Sequence, residues 1–314
     1  MTQTVHIPVM MREALDVLAL KKGMTVVDAT LGGGGYTRAL HEAVMPGGRV
    51  ISIDADGEAI ARFVQDYPSI AKEITIVHSN YVHVRKVLKE CDVTHADAIV
   101  ADLGLSSDQL ESAERGFSFL HDGEIDMRLD ASDDNLHDGA LVLVNTMSLE
   151  DLTKIIYRYG EEEHAKKAAQ AIIDARPLTR TGELAQVVDQ AIGGFYRRKK
   201  SSIHAATKTF QALRIAVNHE YTSLENFLAA GMEILTSGGR MSIVSFHSGE
   251  DRIVKNVFRA HTKGCVCPVE LPLCVCTQSP QVKILYKKPL QPSEEEVREN
   301  PRSRSAKLRA IQKN

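Results

Sequence analysis

Residues 25–36 read Thr-Val-Val-Asp-Ala-Thr-Leu-Gly-Gly-Gly-Gly-Tyr, with four consecutive glycines directly after a short apolar segment. Residues 25–29 predict a buried strand and residues 36–44 predict a helix. A glycine-rich loop between a strand and a helix lets the backbone approach a ligand closely, and the first N–H groups of the helix face that ligand. Because four glycines lose much conformational entropy on folding, a turn alone explains them poorly. The stretch therefore predicts a nucleotide-like ligand on an α/β sheet.

Strand-like and helical segments alternate on both sides of this loop. Further strands are predicted at 49–54, 74–78 and 96–102. The accompanying helices are predicted at 9–20, 36–44, 58–66 and 82–90. This spacing is typical of βαβ units and of a parallel sheet. The fold class is therefore α/β, with a Rossmann-like sheet.

The alternation stops after Asp102. Helices are predicted at 140–145, 149–159, 162–175 and 182–191, and strands return at 240–245 and 282–286. A helical block between two strands of one sheet is typical of an inserted domain. We expect a discontinuous sheet domain at 1–109 and 208–314, and an inserted all-helical domain for substrate recognition at 110–207. Residues 289–306 are rich in Pro, Ser and charge and are interpreted as a surface tail.

Two carboxylates narrow the choice of ligand. Asp28 ends the first strand, where a dinucleotide site usually has no acid and an S-adenosylmethionine (SAM) site often has one. Asp54 ends the second strand, 19 residues after Gly35, and is placed to accept hydrogen bonds from ribose hydroxyls. These residues favour SAM as the ligand, whereas a helix cap is the alternative role for Asp28.

Ligands of such sheets bind at the carboxyl ends of the strands, which adds further candidates. Tyr81 follows the third strand and is placed to flank an adenine, with core packing as the alternative. Asp102 lies where the reactive end of the cofactor is expected, and would accept a hydrogen bond from a substrate amino group. Helix capping by Asp102 or Ser106 is the alternative. In the segment 245–252, His247 is either a base or a structural histidine.

The composition and charge of the chain limit the classes of protein to which it can belong. The chain has 314 residues, 43% hydrophobic and 25% charged, as in ordinary globular proteins. It has no apolar run of the ~20 residues that cross a bilayer, and no basic cap before an apolar stretch at its N-terminus, so we expect the cytoplasm. The net charge of −3 argues against uniform attraction to nucleic acid. Residues 190–219 and 301–314 nevertheless carry basic and no acidic side chains, which fits either an RNA footprint or solvated helix faces.

Four of the five cysteines fall within twelve residues, at Cys265, Cys267, Cys274 and Cys276. Zinc binding, disulfides and free thiols all remain open for them. Because Cys-x-Cys is not the commoner zinc spacing, no metal is predicted.

Segments along nearly the whole chain resemble the ribosomal small-subunit rRNA methyltransferase H family. The matching segments are 6–10, 28–36, 53–56, 102–110, 114–119, 126–130, 159–162, 207–215, 245–248 and 299–305. The resemblance implies a Rossmann-like SAM domain interrupted by a helical domain. It also implies methylation of the N4 amino group of the cytosine at position 1402 of 16S rRNA, in the decoding region of the small ribosomal subunit.

The resemblance further implies which residues form the site. The implied SAM contacts are Gly34, Gly35, Tyr36, Asp54, Tyr81, Asp102 and Gln109. Asp102, with Ser106, would orient the amino group that is methylated. The implied partner is 16S rRNA within the small subunit, with no membrane, and monomer and homodimer both remain open. The chain departs from the family at Gly249, where a larger apolar residue is usual, and at Tyr36, where histidine is common.

Two other functions are possible on a fold of this kind. A nicotinamide-dependent oxidoreductase is disfavoured by Asp28 and by the lack of a Gly-x-Gly-x-x-Gly loop followed by a second dinucleotide-binding half. A non-catalytic ribosome-assembly factor on the same fold is disfavoured by the intact loop and by Asp54.

Overall fold

In the computed structural model of the chain, the described residues are 8–130, 139–201, 203–264 and 279–314. The four clustered cysteines lie outside the described residues, as do residues 6–7 of the first matching segment. Cys91 is a free thiol. None of the helices in the described part of the chain is long and apolar enough to cross a membrane.

The chain divides into two compact units. Unit 1 is Met1–Gly104 together with Tyr221–Asn314, and unit 2 is Leu105–Glu220. The inserted unit therefore extends beyond the expected bounds of 110 and 207 at both ends. Its first residue, Leu105, packs against the core of unit 2. The helix at Thr207–Val217 belongs to it because it packs against the helix at Leu149–Gly160.

Unit 1 is built on a seven-stranded sheet. Its strands are β1 (Thr25–Asp28), β2 (Arg49–Asp54), β3 (Thr75–His78), β4 (Ala96–Asp102), β5 (Leu235–Ser245), β6 (Val282–Ile284) and β7 (Lys307–Lys313). The order across the sheet is β3-β2-β1-β4-β5-β7-β6. Strands β1 to β5 pair in parallel, and β7 is antiparallel to β5 and β6. The predicted Rossmann-like α/β class is confirmed.

Fourteen α-helices occur in the described residues. Before the insertion they are α1 (Met11–Leu18), α2 (Gly35–Val44), α3 (Gly57–Asp66), α4 (Pro68–Ala71) and α5 (Val84–Glu90). Unit 2 holds α6 (Ser107–Glu111), α7 (Ala140–Thr146), α8 (Leu149–Gly160), α9 (Ala165–Asp174), α10 (Thr181–Arg198) and α11 (Thr207–Val217). The last three are α12 (Glu220–Ile234), α13 (Ser248–His261) and α14 (Glu294–Glu299). Short 3₁₀ turns lie at Tyr81–His83, Ala113–Arg115 and Pro301–Ser305.

The central strands are apolar on both faces because both faces are covered. Val26 of β1 belongs to a core cluster with Leu40 of α2, whereas its neighbour Val27 belongs to a second cluster with Phe227 of α12. This burial explains why β1, β2 and β4 read as nearly continuous apolar runs. The strand order reverses between β1 and β4, and such a switch point opens a crevice at the carboxyl ends of the strands.

The predicted tail at residues 289–306 lies largely at the surface, as expected, but it is structured and anchored to unit 1. Leu290 forms a backbone bridge with Leu308, and Ser303 and Ala306 are buried. Strand β7 follows directly and lies inside the sheet, with Ser245 of β5 opposite Lys307. Residues 307–310 alternate between charged and apolar side chains, which is the pattern of a strand. The basic character of the segment obscured that pattern.

Unit 2 buries its own apolar core between its helices. The fully buried side chains of this core include Leu152 and Ile156 of α8, Ala168 and Ile172 of α9, Leu184 and Val188 of α10, and Leu213 of α11. Their spacing of three or four residues is that of amphipathic helices with one buried face. Unit 2 therefore has the core of an independent helical domain.

Candidate active site

Asp28, at the end of β1, holds the glycine-rich loop in place. Its carboxylate is fully buried. Its Oδ1 accepts a hydrogen bond from the backbone N–H of Thr30 at 3.1 Å, and its Oδ2 accepts one from the hydroxyl of Thr37 in α2 at 2.7 Å. Burial raises the pKa of Asp28 from about 3.8 to about 7, although the hydrogen bonds from Thr37 and Thr30 lower it. Asp28 thus joins the strand, the loop and the first turn of α2, but it is not the helix cap, because the N-cap of α2 is Gly34.

Asp54, at the end of β2, binds the same loop from the other side. Its Oδ2 accepts a hydrogen bond from the backbone N–H of Gly32 at 2.7 Å, and its Oδ1 accepts one from the N–H of Asp56 at 2.8 Å. Burial raises the pKa of Asp54, while these two hydrogen bonds lower it. Because each carboxylate oxygen can accept more than one hydrogen bond, binding the loop and binding a ribose are compatible.

Packing requires glycine at both Gly34 and Gly35, and the backbone conformation also requires it at Gly34. Gly34 has a φ of +76°, and a Cβ there would lie 2.1 Å from a ring carbon of Phe63. A Cβ on Gly35 would lie 2.0 Å from Cγ of Pro8. Side chains of this chain therefore press against both glycines, a reason for glycine that the sequence pattern did not reveal.

Tyr36 and Tyr81, the two tyrosines predicted to contact SAM, both pack in the core of unit 1. Tyr36 is 3% exposed, and its hydroxyl donates a hydrogen bond to the carbonyl oxygen of Val9 at 2.6 Å. Its side chain is thus committed to packing, and its backbone N–H at the start of α2 is the group suited to a ligand. Tyr81 begins the 3₁₀ turn after β3, and its ring centroid lies 5.0 Å from that of Phe227. Tyr81 is only partly buried, so one side of it remains accessible.

Asp102, at the carboxyl end of β4, has a buried oxygen without a partner. Its backbone N–H donates to the hydroxyl of Thr30 at 2.7 Å, which ties it to the loop. Its Oδ1 is buried and has no hydrogen-bond partner among the described residues. Burial raises the pKa of Asp102 well above its ordinary range, and the negative charges of Asp28, Glu250 and Glu296 raise it further.

This arrangement fits a cationic ligand. A buried acceptor that stays unpaired costs about 1–3 kcal/mol, and more if it is charged. Where acidic side chains lie close enough to raise one another's pKa values, a positive charge placed among them offsets the repulsion between their negative charges. SAM carries a sulfonium and an ammonium group, and Asp102 stands at the strand end where such a group would bind.

Comparison with known proteins identifies the family. The sequence profile of the MraW methylase family matches residues 3–314. The chain belongs to the MraW methylase family. It is therefore a methyltransferase, and SAM is its cofactor. This excludes a nicotinamide-dependent oxidoreductase.

Curated relatives of this methylase carry the name "Ribosomal RNA small subunit methyltransferase H". One from Dehalococcoides mccartyi (strain ATCC BAA-2266 / KCTC 15142 / 195) is 42% identical over 313 residues, covering 100% of this chain and 88% of the relative. One from Geobacter sp. (strain M21) is 46% identical over 311 residues, covering 98% of each protein. The family resemblance drawn from the sequence is thus confirmed.

Gly249, in the first turn of α13, packs against a tyrosine. A Cβ on Gly249 would lie 1.8 Å from the hydroxyl oxygen of Tyr221. The tyrosine therefore fills the space that a larger residue would need. His247 caps α13, with Nδ1 accepting from the N–H of Glu250 at 3.4 Å, and Oε2 of Glu250 accepts from the N–H of Phe246 at 2.9 Å. These contacts favour the structural interpretation of His247.

Ser106 and Gln109 belong to unit 2 and bind each other. Ser106 is the N-cap of α6, and its hydroxyl accepts from the N–H of Gln109 at 3.2 Å. Oε1 of Gln109 accepts from the N–H of Ser106 at 3.0 Å in return. Helix capping, the alternative considered for Ser106, is therefore observed. Within unit 1, in contrast, the glycine-rich loop is hydrogen-bonded both to Asp54, through Gly32, and to Asp102, through Thr30.

Sequence reasoning missed Glu250 and Glu296 as neighbours of Asp102. Glu250 lies in the segment 245–252, which also holds the candidate His247, so a signal existed. Glu296 lies in the segment interpreted as a tail, and its Oε1 accepts from the backbone N–H of Met10 at 2.6 Å. No local pattern could reveal a contact between residues 286 positions apart.

Part of the predicted basic segment near the C-terminus is neutralised inside unit 1. Arg309 pairs with Asp251 through two hydrogen bonds of 2.6 and 3.2 Å, and Lys307 lies 3.2 Å from the same carboxylate. Burial alone would raise the pKa of Asp251, but these two cations lower it.

Proposed function

We propose that this chain is a cytoplasmic enzyme that transfers a methyl group from SAM to the N4 amino group of a cytosine in the decoding region of 16S rRNA. The buried, unpartnered Oδ1 of Asp102 is the observation that carries the proposal. It supplies an acceptor for an amino group beside a loop suited to SAM. The names of the relatives support small-subunit rRNA as the substrate.

Asp102 would orient and deprotonate the substrate amine. The lone pair of the cytosine amino group is delocalised into the ring, and a hydrogen bond from its N–H to a carboxylate localises it. When bound, SAM supplies a methyl group made electrophilic by a positively charged sulfur. Asp102 would take the proton that the amine must lose once its nitrogen carries the methyl group, while the electron pair of the broken carbon–sulfur bond would remain on sulfur. A carboxylate with a raised pKa suits that transfer.

The remaining residues would position the two reactants. Cofactor contacts are proposed for Gly34, Gly35, Tyr36, Asp54, Tyr81, Asp102 and Gln109, with Tyr36 contributing its backbone N–H. Ser106 would act as a positioning residue through the cap of α6. The target base must be unstacked to reach the cofactor, and correct alignment of amine and methyl contributes several kcal/mol of the rate.

The test is methyl transfer from labelled SAM to free 16S rRNA and to 30S particles, with the product nucleoside identified by mass spectrometry. We expect N4-methylcytidine. Asp102→Asn should lower kcat about 10²- to 10⁴-fold, as for loss of a general base, while calorimetry shows SAM still bound.

Asp92→Asn is the matched control. Asp92 is exposed and the chemical change is the same, so its turnover should equal that of the wild type. A different methylated nucleoside, or wild-type turnover by Asp102→Asn, would contradict the proposal.

A further inference from the structure

Two of the four cations in the basic segment 197–200 are neutralised within unit 2. Arg197 lies 3.0 Å from Asp189, which is about two helical turns earlier in α10. Lys199 lies 2.8 Å from Glu163, in the connection between α8 and α9. These two side chains stabilise unit 2 and have little charge left for a partner.

Phe195 of α10 is the centre of a second group of cations, which contact its aromatic ring instead of an acidic side chain. The guanidinium carbon of Arg198 lies 4.8 Å from the centroid of the Phe195 ring, and Nζ of Lys167 in α9 lies 4.6 Å from it. The ring of His164 stacks on the same phenylalanine at 3.9 Å. Cation–π contacts of this kind contribute about 0.5–1 kcal/mol at exposed sites, and they hold a cation in place without neutralising it.

The charge around Phe195 is exposed and lacks an acidic partner. Lys166, Lys167 and Arg198 are exposed, and in the described part of unit 2 none of them forms an ion pair. A shallow cavity at the start of α9 is lined by Glu163, His164, Lys166, Lys167 and Gln170. The single acid of that lining, Glu163, is the partner of Lys199. We call His164, Lys166, Lys167, Phe195 and Arg198 the Phe195 patch.

We propose that the Phe195 patch binds backbone phosphates of the RNA that carries the target base. This inference rests on the proposed function, because it takes the partner of unit 2 to be the same RNA. Arg198 offers a planar set of donors and Lys167 a compact charge, and both are pre-positioned on one ring, so little side-chain entropy is lost on binding. RNA is favoured over an acidic peptide because the chain's substrate is an RNA, whose phosphates run continuously beyond the target base.

The test is the salt dependence of RNA binding by Lys167→Gln/Arg198→Gln. Each phosphate contact contributes about 0.7–0.9 to the slope of log K against log salt, so two lost contacts should lower that slope by about 1.4–1.8. If the two contacts contribute nothing at 1 M salt, binding to 30S particles at 0.1 M should be about 25- to 60-fold weaker. SAM affinity by calorimetry, and kcat at saturating RNA, should be unchanged.

Lys154→Gln/Arg158→Gln is the control, since it removes two exposed cations from α8 of the same unit, of which Lys154 is paired with Glu150. Its slope should equal that of the wild type. Phe195→Leu keeps the apolar volume and removes the ring, and should cause part of the loss.

Three results would overturn the inference. The first is an unchanged slope for the Lys167/Arg198 variant when the wild type methylates 16S rRNA. The second is an equal loss in the α8 control, and the third is a loss of affinity for polyglutamate with none for RNA. A wild type that neither binds nor methylates 16S rRNA would instead refute the proposed function, and this inference with it.

Discussion

Gly34→Ala tests whether the loop after β1 is held as tightly as its contacts indicate. Gly34 has a φ of +76°, where a residue with a Cβ costs roughly 1–2 kcal/mol. The new Cβ would also lie 2.1 Å from the Phe63 ring, which is 2% exposed and has little room to move. Such overpacking costs about 1–3 kcal/mol. Together the two effects should lower the free energy of unfolding by about 2–5 kcal/mol.

Gly47→Ala separates these two effects. Gly47 has a φ of +89°, but a Cβ there would have no neighbour within 4 Å. It should therefore cost only the backbone term, about 1–2 kcal/mol. Urea unfolding of the full chain, followed by circular dichroism, measures the free energy of unfolding of both variants. The chain has no tryptophan, so tryptophan fluorescence cannot report the transition.

The same variants connect the loop to function. Relief of the clash with Phe63 must shift the backbone that starts α2, so we expect Gly34→Ala to bind SAM at least about tenfold more weakly, or 1.4 kcal/mol. Gly47→Ala should bind SAM as the wild type does. If Gly34→Ala is no less stable than Gly47→Ala and binds SAM normally, the packing of Phe63 does not position the loop and the reasoning fails.

Three further predictions concern buried charges. Folding raises the pKa of Asp28 to about 7, so the folded state binds the extra proton, and stability should fall as pH rises from about 4 through 7, by up to roughly 4 kcal/mol. Urea titrations should show a flatter profile for Asp28→Asn. Because the pKa of Asp102 is raised, kcat/KM for methyl transfer should increase with pH above the ordinary carboxyl range. The pH profile of Asp102→Asn should lack this increase. Identical pH profiles for the two proteins would argue against a role of Asp102 in proton transfer. Arg309→Met should cost roughly 3 kcal/mol because it leaves Asp251 buried without its main partner, and that cost should largely vanish in an Asp251→Leu background, as a double-mutant cycle would show.

The parallel half of the sheet was predictable because its strands are short, apolar and separated by helices. The predicted strands at 49–54 and 96–102 match β2 and β4 residue for residue. Strand β7 was missed because its alternation lies among lysines and arginines, in a segment whose composition is that of a tail. Helices α11, α12 and α13 were not predicted individually, although α12 contributes buried residues to the core of unit 1.

The candidate site was predictable in position but not in detail. The carboxyl ends of β1, β2 and β4 marked Asp28, Asp54 and Asp102 because parallel strands end at one edge of the sheet. Their partners could not be read from the sequence. The packing of Phe63 on Gly34, and the approach of Glu296 toward Asp102, depend on contacts between distant segments.

Nucleoside mass spectrometry of 16S rRNA tests the central claim most directly. The RNA would come from a strain that lacks this gene and carries either the wild-type chain or Asp102→Asn on a plasmid. Our account predicts N4-methylcytidine with the wild-type chain and little or none with Asp102→Asn at equal protein levels. Absence of N4-methylcytidine with the wild-type chain, or its full restoration by Asp102→Asn, would contradict it.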